Sequence, residues 1–291
     1  MNISEKAFEQ HIETVLLKSK YQKRAPDNYN KETCVDEELV FKFIADTQSK
    51  ELIKLKEQHG DQLHHMLISR LKKEIEERGT LDILRKGISD MGSKFNLMYS
   101  YPETSLNAEH LELSKKNIFS IIRQLKFSTK NEQSIDTVIF LNGLPIITIE
   151  LKNYLTKQNY RDAIKQYKET RDPREPLLMF KRCLVHFAVD NDYVFMTTRL
   201  AGGNTTFLPF NKGSEGGAGN PVNPSGFKSS YLWEEVLQKK SLLEIISDFL
   251  MLVKEPETGS EKLVFPRYHQ LDAVRKLLSH ARQKGEGGTA I

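Results

Sequence analysis

Residues 134–153, SIDTVIFLNGLPIITIELKN, decide the fold of this chain. They contain two runs of apolar, mostly branched side chains, typical of β-strands, joined by an Asn-Gly pair, which is typical of a tight hairpin turn. The charged residues in this stretch are Asp136, Glu150 and Lys152. Because unpaired charges within buried strands are energetically costly, these three side chains indicate a site with a charged partner such as a metal ion.

Side chains alternate between the two faces of a strand, so Glu150 and Lys152 share one face and Leu151 lies on the other. Asp136, Glu150 and the carbonyl oxygen of Leu151 offer the hard oxygen ligands that Mg²⁺ prefers. Lys152, next to such an ion, can orient an attacking water molecule or neutralise the charge that develops on phosphorus. The pattern therefore predicts a Mg²⁺ site that hydrolyses phosphodiester bonds.

The register of the hairpin decides whether the two acids can meet. A two-residue turn at 142–143 would place Asp136 opposite Ile149, so that Asp136 and Glu150 would lie on opposite faces. A three-residue loop at 142–144 places Asp136 opposite Glu150 instead. The proposed chemistry therefore predicts a three-residue loop or a bulge in this hairpin.

The rest of the chain predicts an α/β fold. Apolar residues recurring three and four positions apart predict a helical region over roughly the first 90 residues. Apolar runs with branched and aromatic side chains predict further strands at 95–99, 118–127 and 183–198. Helices are predicted at 160–171, 232–237 and 242–253, and a loop at 211–230. Together these elements predict a mostly antiparallel or mixed sheet flanked by helices.

A polar segment divides the predicted domains. KEPETGSEK, residues 254–262, contains Pro256 and Gly259 and predicts a linker. We therefore expect one domain at 1–253, a linker at 254–264 and the start of a second domain at 265–291. A single helix cannot bury a core, so the sequence is expected to be a fragment of a longer protein.

Overall composition sets few limits on function. The 43 basic and 39 acidic residues give a net charge of +4, which neither requires nor excludes nucleic acid. Two cysteines, Cys34 and Cys183, are too few for a disulfide framework. The sequence shows no signal segment and no apolar stretch long enough to cross a bilayer, so we predict a cytoplasmic protein without a membrane partner.

Charge is concentrated directly after the predicted carboxylates. Residues 152–182 contain nine basic and four acidic residues, a local excess of five positive charges. A cationic face of this kind suits the phosphate backbone of DNA. From spacing alone, solvated charges at strand ends are the interpretation we favour for the acid and Glu-x-Lys pattern, because such short patterns recur by chance. The neighbouring cationic stretch favours a site.

The acid…Glu-Leu-Lys pattern resembles the PD-(D/E)xK nuclease motif. The wider sequence, from VFKFIADTQ at Val40 to FPRYHQ at Phe265, resembles the amino-terminal part of the motor (R) subunit of type I restriction enzymes. This resemblance implies a restriction-endonuclease-like mixed sheet whose carboxylates bind Mg²⁺. It also implies a subunit that couples ATP-driven translocation of double-stranded DNA to cleavage, with methyltransferase and specificity subunits as partners.

The resemblance assigns roles to individual residues. Asp136 matches the first metal-binding acid, Glu150 the second and Lys152 the catalytic lysine. Some nucleases of this superfamily add a glutamate from the first helix to the metal site, a role open to Glu9, although a solvated helix charge is the interpretation we favour for it.

A further motif lies on the predicted basic helix. Gln166 matches the glutamine of the family's Q-x-x-x-Y motif, which helps to seat DNA, but Thr170 stands where the tyrosine is expected. Tyr167 or Tyr160 could replace that tyrosine. We predict that three basic residues of the same helix also bind DNA: Arg161, Lys165 and Lys168.

The carboxyl-terminal segment resembles the start of a motor domain. Gln270 in FPRYHQ resembles the adenine-reading glutamine of helicase-like motors, so we predict that it contacts nucleotide in the full-length subunit. No phosphate-binding loop of the form G-x-x-x-x-G-K-[ST] occurs in this sequence. ATP is therefore expected to act only on the full-length subunit.

The predicted function is Mg²⁺-dependent, non-specific cleavage of double-stranded DNA, at places set by translocation in the complete enzyme. The competing hypothesis is a module without catalytic activity, which clamps DNA or docks the motor onto its partner subunits. A third hypothesis is a repair nuclease that cuts DNA ends without ATP or partners.

Overall fold

The computed structural model describes residues 4–102, 107–214 and 217–286. Residues 287–291 of the predicted second domain lie outside this description. The α-helices are α1 (Glu5–Lys18), α2 (Glu37–His59), α3 (Leu63–Arg78), α4 (Thr80–Lys86), α5 (Ala108–Lys115), α6 (Tyr160–Glu169), α7 (Lys239–Glu244) and α8 (Tyr268–Glu286). Short 3₁₀ segments cover Pro26–Asn28, Gly60–Gln62 and Tyr154–Thr156, and π-helical turns cover Leu232–Val236 and Ile245–Phe249.

The strands form one large sheet and two hairpins. They are β1 (Gln22–Lys23), β2 (Ile88–Asp90), β3 (Ser93–Phe95), β4 (Phe119–Lys126), β5 (Ser134–Leu141), β6 (Leu144–Leu151), β7 (Val185–Val189), β8 (Val194–Thr197), β9 (Leu208–Pro209), β10 (Met251–Lys254) and β11 (Glu261–Val264). The large sheet has seven strands in the order β1–β4–β5–β6–β7–β8–β9. Its β1–β4 and β6–β7 pairs are parallel and its other pairs are antiparallel, so the predicted mixed α/β sheet is confirmed.

Apolar side chains cover both faces of this sheet. Ile149 and Leu151 of β6 belong to the larger core, together with buried residues of α1, α2 and α3. Val138 of β5 belongs to a second core, which also contains Ala163 and Tyr167 of α6. The intervening β6 residues Thr148 and Glu150 contact Tyr167 and Arg171 on the α6 side, as strand periodicity requires.

The hairpin between β5 and β6 contains both a tight turn and a bulge. Leu141 pairs with Leu144 across a two-residue turn, whose Asn142 and Gly143 both have left-handed backbones, with φ of 50° and 84°. The predicted three-residue loop is therefore wrong, because an Asn-Gly pair adopts the left-handed angles of a two-residue turn readily.

The predicted bulge is confirmed a little farther from the turn. Phe140 pairs with Pro145, but Ile139 pairs with Ile147, so Ile146 is one extra residue in β6. Proline has no N–H to donate and is confined to such irregular positions in sheets. Beyond the bulge Thr137 pairs with Ile149, a register that brings the next pair of residues, 136 and 150, opposite each other.

The turn itself is buried and held by side-chain hydrogen bonds. The Asn142 side chain accepts a hydrogen bond from the N–H of Ile118 at 2.6 Å and donates one to the carbonyl oxygen of Leu97 at 2.8 Å. The Gly143 carbonyl accepts the N–H of Asp36, the N-cap of α2, at 2.8 Å. These bonds fix the hairpin against the helical region and the start of β4.

Two predicted elements are wrong in part. The strand predicted at 95–99 ends at Phe95, because the N–H of Asn96 donates to the Gln48 side chain at 2.6 Å instead of to a neighbouring strand. The helix predicted at 242–253 ends at Phe249, and residues 251–254 form β10, which pairs with β11. The segment predicted as a linker therefore lies in a β-hairpin, and the division into domains stays a prediction.

Within the described residues, no helix has the length and apolarity needed to cross a bilayer.

We expect Gly143→Ala to lower the free energy of unfolding by more than about 1 kcal/mol. A Cβ there would lie 2.4 Å from the Asp36 carbonyl oxygen and 2.6 Å from Cγ2 of Val40, in addition to the strain of a left-handed alanine. Gly92→Ala is the matched control, since Gly92 has the nearly identical φ of 83° but no atom within 4 Å of the added Cβ. Urea unfolding of both variants measures the difference, and equal losses would contradict the steric account.

Candidate metal and catalytic site

The bulged hairpin brings the three predicted catalytic residues to one place. One carboxylate oxygen of Asp136 accepts the N–H of Leu151 at 2.7 Å, which ties β5 to the end of β6 beside Glu150. Asp136, Glu150 and Lys152 are all buried. These charges therefore lie inside the protein, and the alternative of solvated charges at strand ends is wrong.

Helix α1 adds two further acids to this place. Ser4 caps the helix by accepting the N–H of Ala7 at 3.2 Å, and Glu5 and Glu9, four positions apart, share one helix face. Carboxylate oxygens of Glu5, Glu9 and Asp136 all lie within 4.8 Å of one another. Oxygen ligands at such separations are able to hold one hard divalent cation.

The structure corrects the interpretation of α1. Glu9 was expected to be a solvated helix charge, but only 4% of its surface is exposed. Sequence reasoning missed Glu5 altogether. A signal was present, because Glu5 and Glu9 form an i, i+4 pair of acids at the start of a helix whose Phe8 and Ile12 are buried in the core.

Glu150 is held mainly by Arg171, which follows α6. The Arg171 guanidinium donates from Nε to one oxygen of Glu150 at 2.7 Å and from Nη2 to the Ser134 carbonyl oxygen at 2.6 Å. The second carboxylate oxygen of Glu150 is buried and makes no hydrogen bond within the described residues. Complete burial raises the pKa of Glu150 well above its usual range, and the Asp136 carboxylate adds to this, whereas Arg171 opposes it.

Lys152 lies between β6 and α1. Its ammonium nitrogen is 3.5 Å from a carboxylate oxygen of Glu5. Burial raises the pKa of Glu5, which Lys152 partly offsets, and Asp136 raises it further. Burial and the Asp136 carboxylate also raise the pKa of Glu9, whereas the hydrogen bonds that Glu9 accepts from Arg123 lower it. The acids therefore outnumber the cations that neutralise them.

A hydrogen-bonded group lies beneath Glu150. The Tyr167 hydroxyl and Thr148 are 2.8 Å apart, and Thr148 is 2.7 Å from Nδ1 of His186. Burial lowers the pKa of His186 to about 3, so its ring is neutral. Tyr167 is thus committed to the interior and cannot reach DNA in place of the missing tyrosine.

The other predicted binding residues lie on exposed or partly exposed surfaces. Tyr160 stacks on Phe195, with ring centroids 4.4 Å apart, while Gln166 is half-buried on α6. Of the three basic residues of this helix, Arg161 and Lys165 are exposed and Lys168 is half-buried. The Gln270 side chain accepts the N–H of Arg267 at 2.9 Å at the start of α8. DNA or nucleotide binding by these residues stays a prediction.

Comparison with known protein families assigns the chain to the class of restriction-enzyme proteins. Residues 3–205 match the family model described as "Type I restriction enzyme R protein N terminus". The chain therefore belongs to that family of amino-terminal regions of R proteins. Both the hairpin and the acids of α1 lie within the matched range.

One curated relative supports the same assignment. The chain is 27% identical over 232 residues to the "Putative type I restriction enzyme MjaVIIIP endonuclease subunit" of Methanocaldococcus jannaschii. The alignment covers 75% of this chain and 20% of the relative. The chain thus corresponds to about a fifth of the length of that subunit.

We expect Arg171→Met to lower the free energy of unfolding by about 3 kcal/mol, because it leaves a fully buried carboxylate without its partner. Urea unfolding at neutral pH measures this loss. Arg174→Met is the matched control, since Arg174 is exposed and pairs with Asp172 at the surface, so little change is expected. Similar losses for the two variants would contradict the structural importance of the buried pair.

We also expect Asp136→Asn to flatten the pH dependence of stability in metal-free buffer. The raised pKa values of Glu5, Glu9 and Glu150 mean that the folded chain binds extra protons. Their contribution to stability is complete below their ordinary pKa of 4.5 and is lost as the pH rises through the folded values. The charge of Asp136 helps to raise all three values.

The measurement is urea unfolding in EDTA at several values between about pH 5 and about pH 7. The stability of Asp136→Asn relative to the original chain should increase with pH over this range. A relative stability that does not change with pH would contradict the electrostatic coupling of these acids.

Proposed function

We propose that this chain is the Mg²⁺-dependent endonuclease region of a type I restriction R subunit and hydrolyses phosphodiester bonds of double-stranded DNA without reading sequence. The observation that carries the proposal is the convergence of Asp136, Glu150 and Lys152 with Glu5 and Glu9. The proposed fold is accordingly restriction-endonuclease-like. We further propose that residues 265–291 begin a helicase-like motor domain.

The donor atoms fit a hard divalent cation. Three carboxylates from α1 and β5 lie close together, and one oxygen of the buried Glu150 has no hydrogen-bond partner in the described chain. Mutual repulsion and burial disfavour this set of charges without a cation, as the raised pKa values of Glu5 and Glu9 show. Asp136, Glu9 and Glu5 would hold the ion, with Glu150 and the Leu151 carbonyl oxygen as further proposed ligands. When bound, Mg²⁺ would supply Lewis-acid chemistry, including activation of a water molecule.

The protein's own groups then have distinct tasks. Lys152 carries a buried positive charge next to Glu5, where it can orient a water molecule or stabilise negative charge on a phosphate. Arg171 keeps the Glu150 side chain in place from beneath α6. Asp136 accepts the Leu151 N–H, so the two strand ends cannot separate without losing that hydrogen bond.

DNA binding is supported by the cations of α6. Arg161 and Lys168 form no ion pair within the described residues, and Lys165 reaches Glu169 only at 3.8 Å. Cations without acidic partners can neutralise phosphates and release counterions. Gln166 lies among them, so we propose that this helix follows the DNA backbone near the acids.

Sequence choice and ATP-driven translocation belong to the rest of the proposed enzyme. Phosphate contacts position DNA but carry little sequence information. We propose that a specificity subunit selects the target, that methyltransferase subunits complete the complex, and that ATP acts on the full-length R subunit, with Gln270 near the nucleotide.

We expect two substitutions to separate metal binding from cutting. Asp136→Ala should abolish Mn²⁺ binding and plasmid nicking, because it removes the carboxylate of β5 that lies within 4.8 Å of the acids of α1. Lys152→Ala should retain Mn²⁺ binding but slow nicking at least about 100-fold, because it removes a group that stabilises the transition state. Nicking of supercoiled plasmid in Mg²⁺ or Mn²⁺, beside isothermal titration with Mn²⁺, measures both effects.

Lys73→Ala serves as the control for loss of a positive charge, because Lys73 is an exposed lysine on α3. It should cut and bind like the original chain. DNA binding without any metal-dependent nicking, unchanged by Asp136→Ala or Lys152→Ala, would contradict the nuclease proposal and support the clamping module.

A further inference from the structure

Gln124 has an unusual backbone for a residue inside a strand. Its φ is +50°, and among the described residues it is the one non-glycine residue within a strand that has a left-handed backbone. On either side, Arg123 pairs with Thr137 and Leu125 pairs with Ile135. The register of β4 and β5 is therefore kept, and Gln124 lies opposite Asp136 while its own ladder pair is missing.

Left-handed angles are unfavourable for a side chain with a Cβ, and strain of this kind persists where surrounding contacts enforce it. The turn-forming asparagine and glycine at 142–143 explain their own angles, but glutamine has no such tendency. Gln124 is also exposed, so apolar packing of its side chain does not explain the conformation.

Its polar contacts do provide an explanation. The amide nitrogen of Gln124 donates to Glu9 at 2.8 Å and to Asp136 at 3.2 Å. Its amide oxygen accepts from the Ser134 hydroxyl at 2.8 Å. One NH₂ group thus joins an acid of α1 to an acid of β5.

The neutrality of this amide matters for a metal site. Arg123, the preceding residue, also contacts Glu9, but a guanidinium at the position of the Gln124 amide would neutralise the acids and compete with a cation. An amide donates hydrogen bonds to carboxylates and leaves their negative charge in place. It can therefore fix two ligands without replacing the ion that they bind.

We propose that Gln124 is a positioning residue of the candidate metal site, whose amide holds the Glu9 and Asp136 carboxylates together for one divalent cation. The inference rests on the proposed metal-dependent function. On this inference, the strained backbone of β4 serves to assemble the site and does not stabilise the sheet.

The decisive variant is Gln124→Gly, which removes the amide and accommodates the left-handed backbone without strain. We expect its affinity for Mn²⁺, measured by isothermal titration on the full chain, to fall at least tenfold. The melting temperature of the metal-free chain should stay unchanged or rise, because the strain is relieved. If Gln124 had a merely structural role, its substitution would lower the melting temperature and leave the affinity for Mn²⁺ unchanged.

Gln124→Met provides a second variant, since it keeps the length of the side chain and the backbone strain but makes no such hydrogen bonds. Its Mn²⁺ affinity should also fall, this time without any gain in melting temperature. Gln58→Met, at an exposed position of α2, is the control and should change neither quantity. Together the variants separate loss of the amide from relief of strain.

The outcomes distinguish this inference from the function on which it rests. Mn²⁺ binding by the original chain with equal affinity in Gln124→Gly and Gln124→Met would overturn the role of Gln124 and leave the proposed metal site intact. No Mn²⁺ binding by the original chain would overturn both. Weaker binding in both variants, with a stable fold in Gln124→Gly, would support the inference.

Discussion

One extra residue in a strand determines whether the site exists. Side chains alternate along β6, so without the bulge at Ile146 the tight turn would place Glu150 and Asp136 on opposite faces of the sheet. Because of the bulge, every later residue of β6 lies on the opposite face from the one that it would otherwise occupy. The residues that make the Leu151–Asp136 hydrogen bond and the Arg171–Glu150 contact both lie beyond that shift in β6.

Burial gives these acids their properties. In water, four carboxylates would separate or gather counterions, but here they are fixed by helices and strands that also form the two cores. The protein supplies cations at the margins, with Arg123 beside Glu9, Arg171 beneath Glu150 and Lys152 beside Glu5. It supplies a neutral amide between Glu9 and Asp136. The arrangement keeps negative charge at the centre, which is what an oxygen-liganded cation requires.

Much of the central sheet could be predicted from the sequence, because its strands are long apolar runs with clear turns between them. The need for an odd loop or a bulge could be predicted as well, since it follows from the alternation of side chains along a strand. The position of the bulge at Ile146 could not be predicted. It depends jointly on the backbone angles of Asn142 and Gly143 and on the missing N–H of Pro145. The contributions of Glu5 and Gln124 were also missed. Glu5 left a signal in its i, i+4 spacing from Glu9, but its place at the site depends on how α1 docks. Gln124 depends on one abnormal backbone angle, which leaves no periodic signal in the sequence.

The site joins parts of the chain that are far apart. Gln124 and Glu9 are 115 positions apart, whereas the strands of the β5–β6 hairpin are adjacent in sequence. Contacts between neighbouring segments form readily, but distant ones require closure of a long loop and are reached later in folding. The hairpin can therefore form before the acids of α1 are docked against it. Assembly of the complete acid cluster thus requires closure of the long loop between α1 and β4.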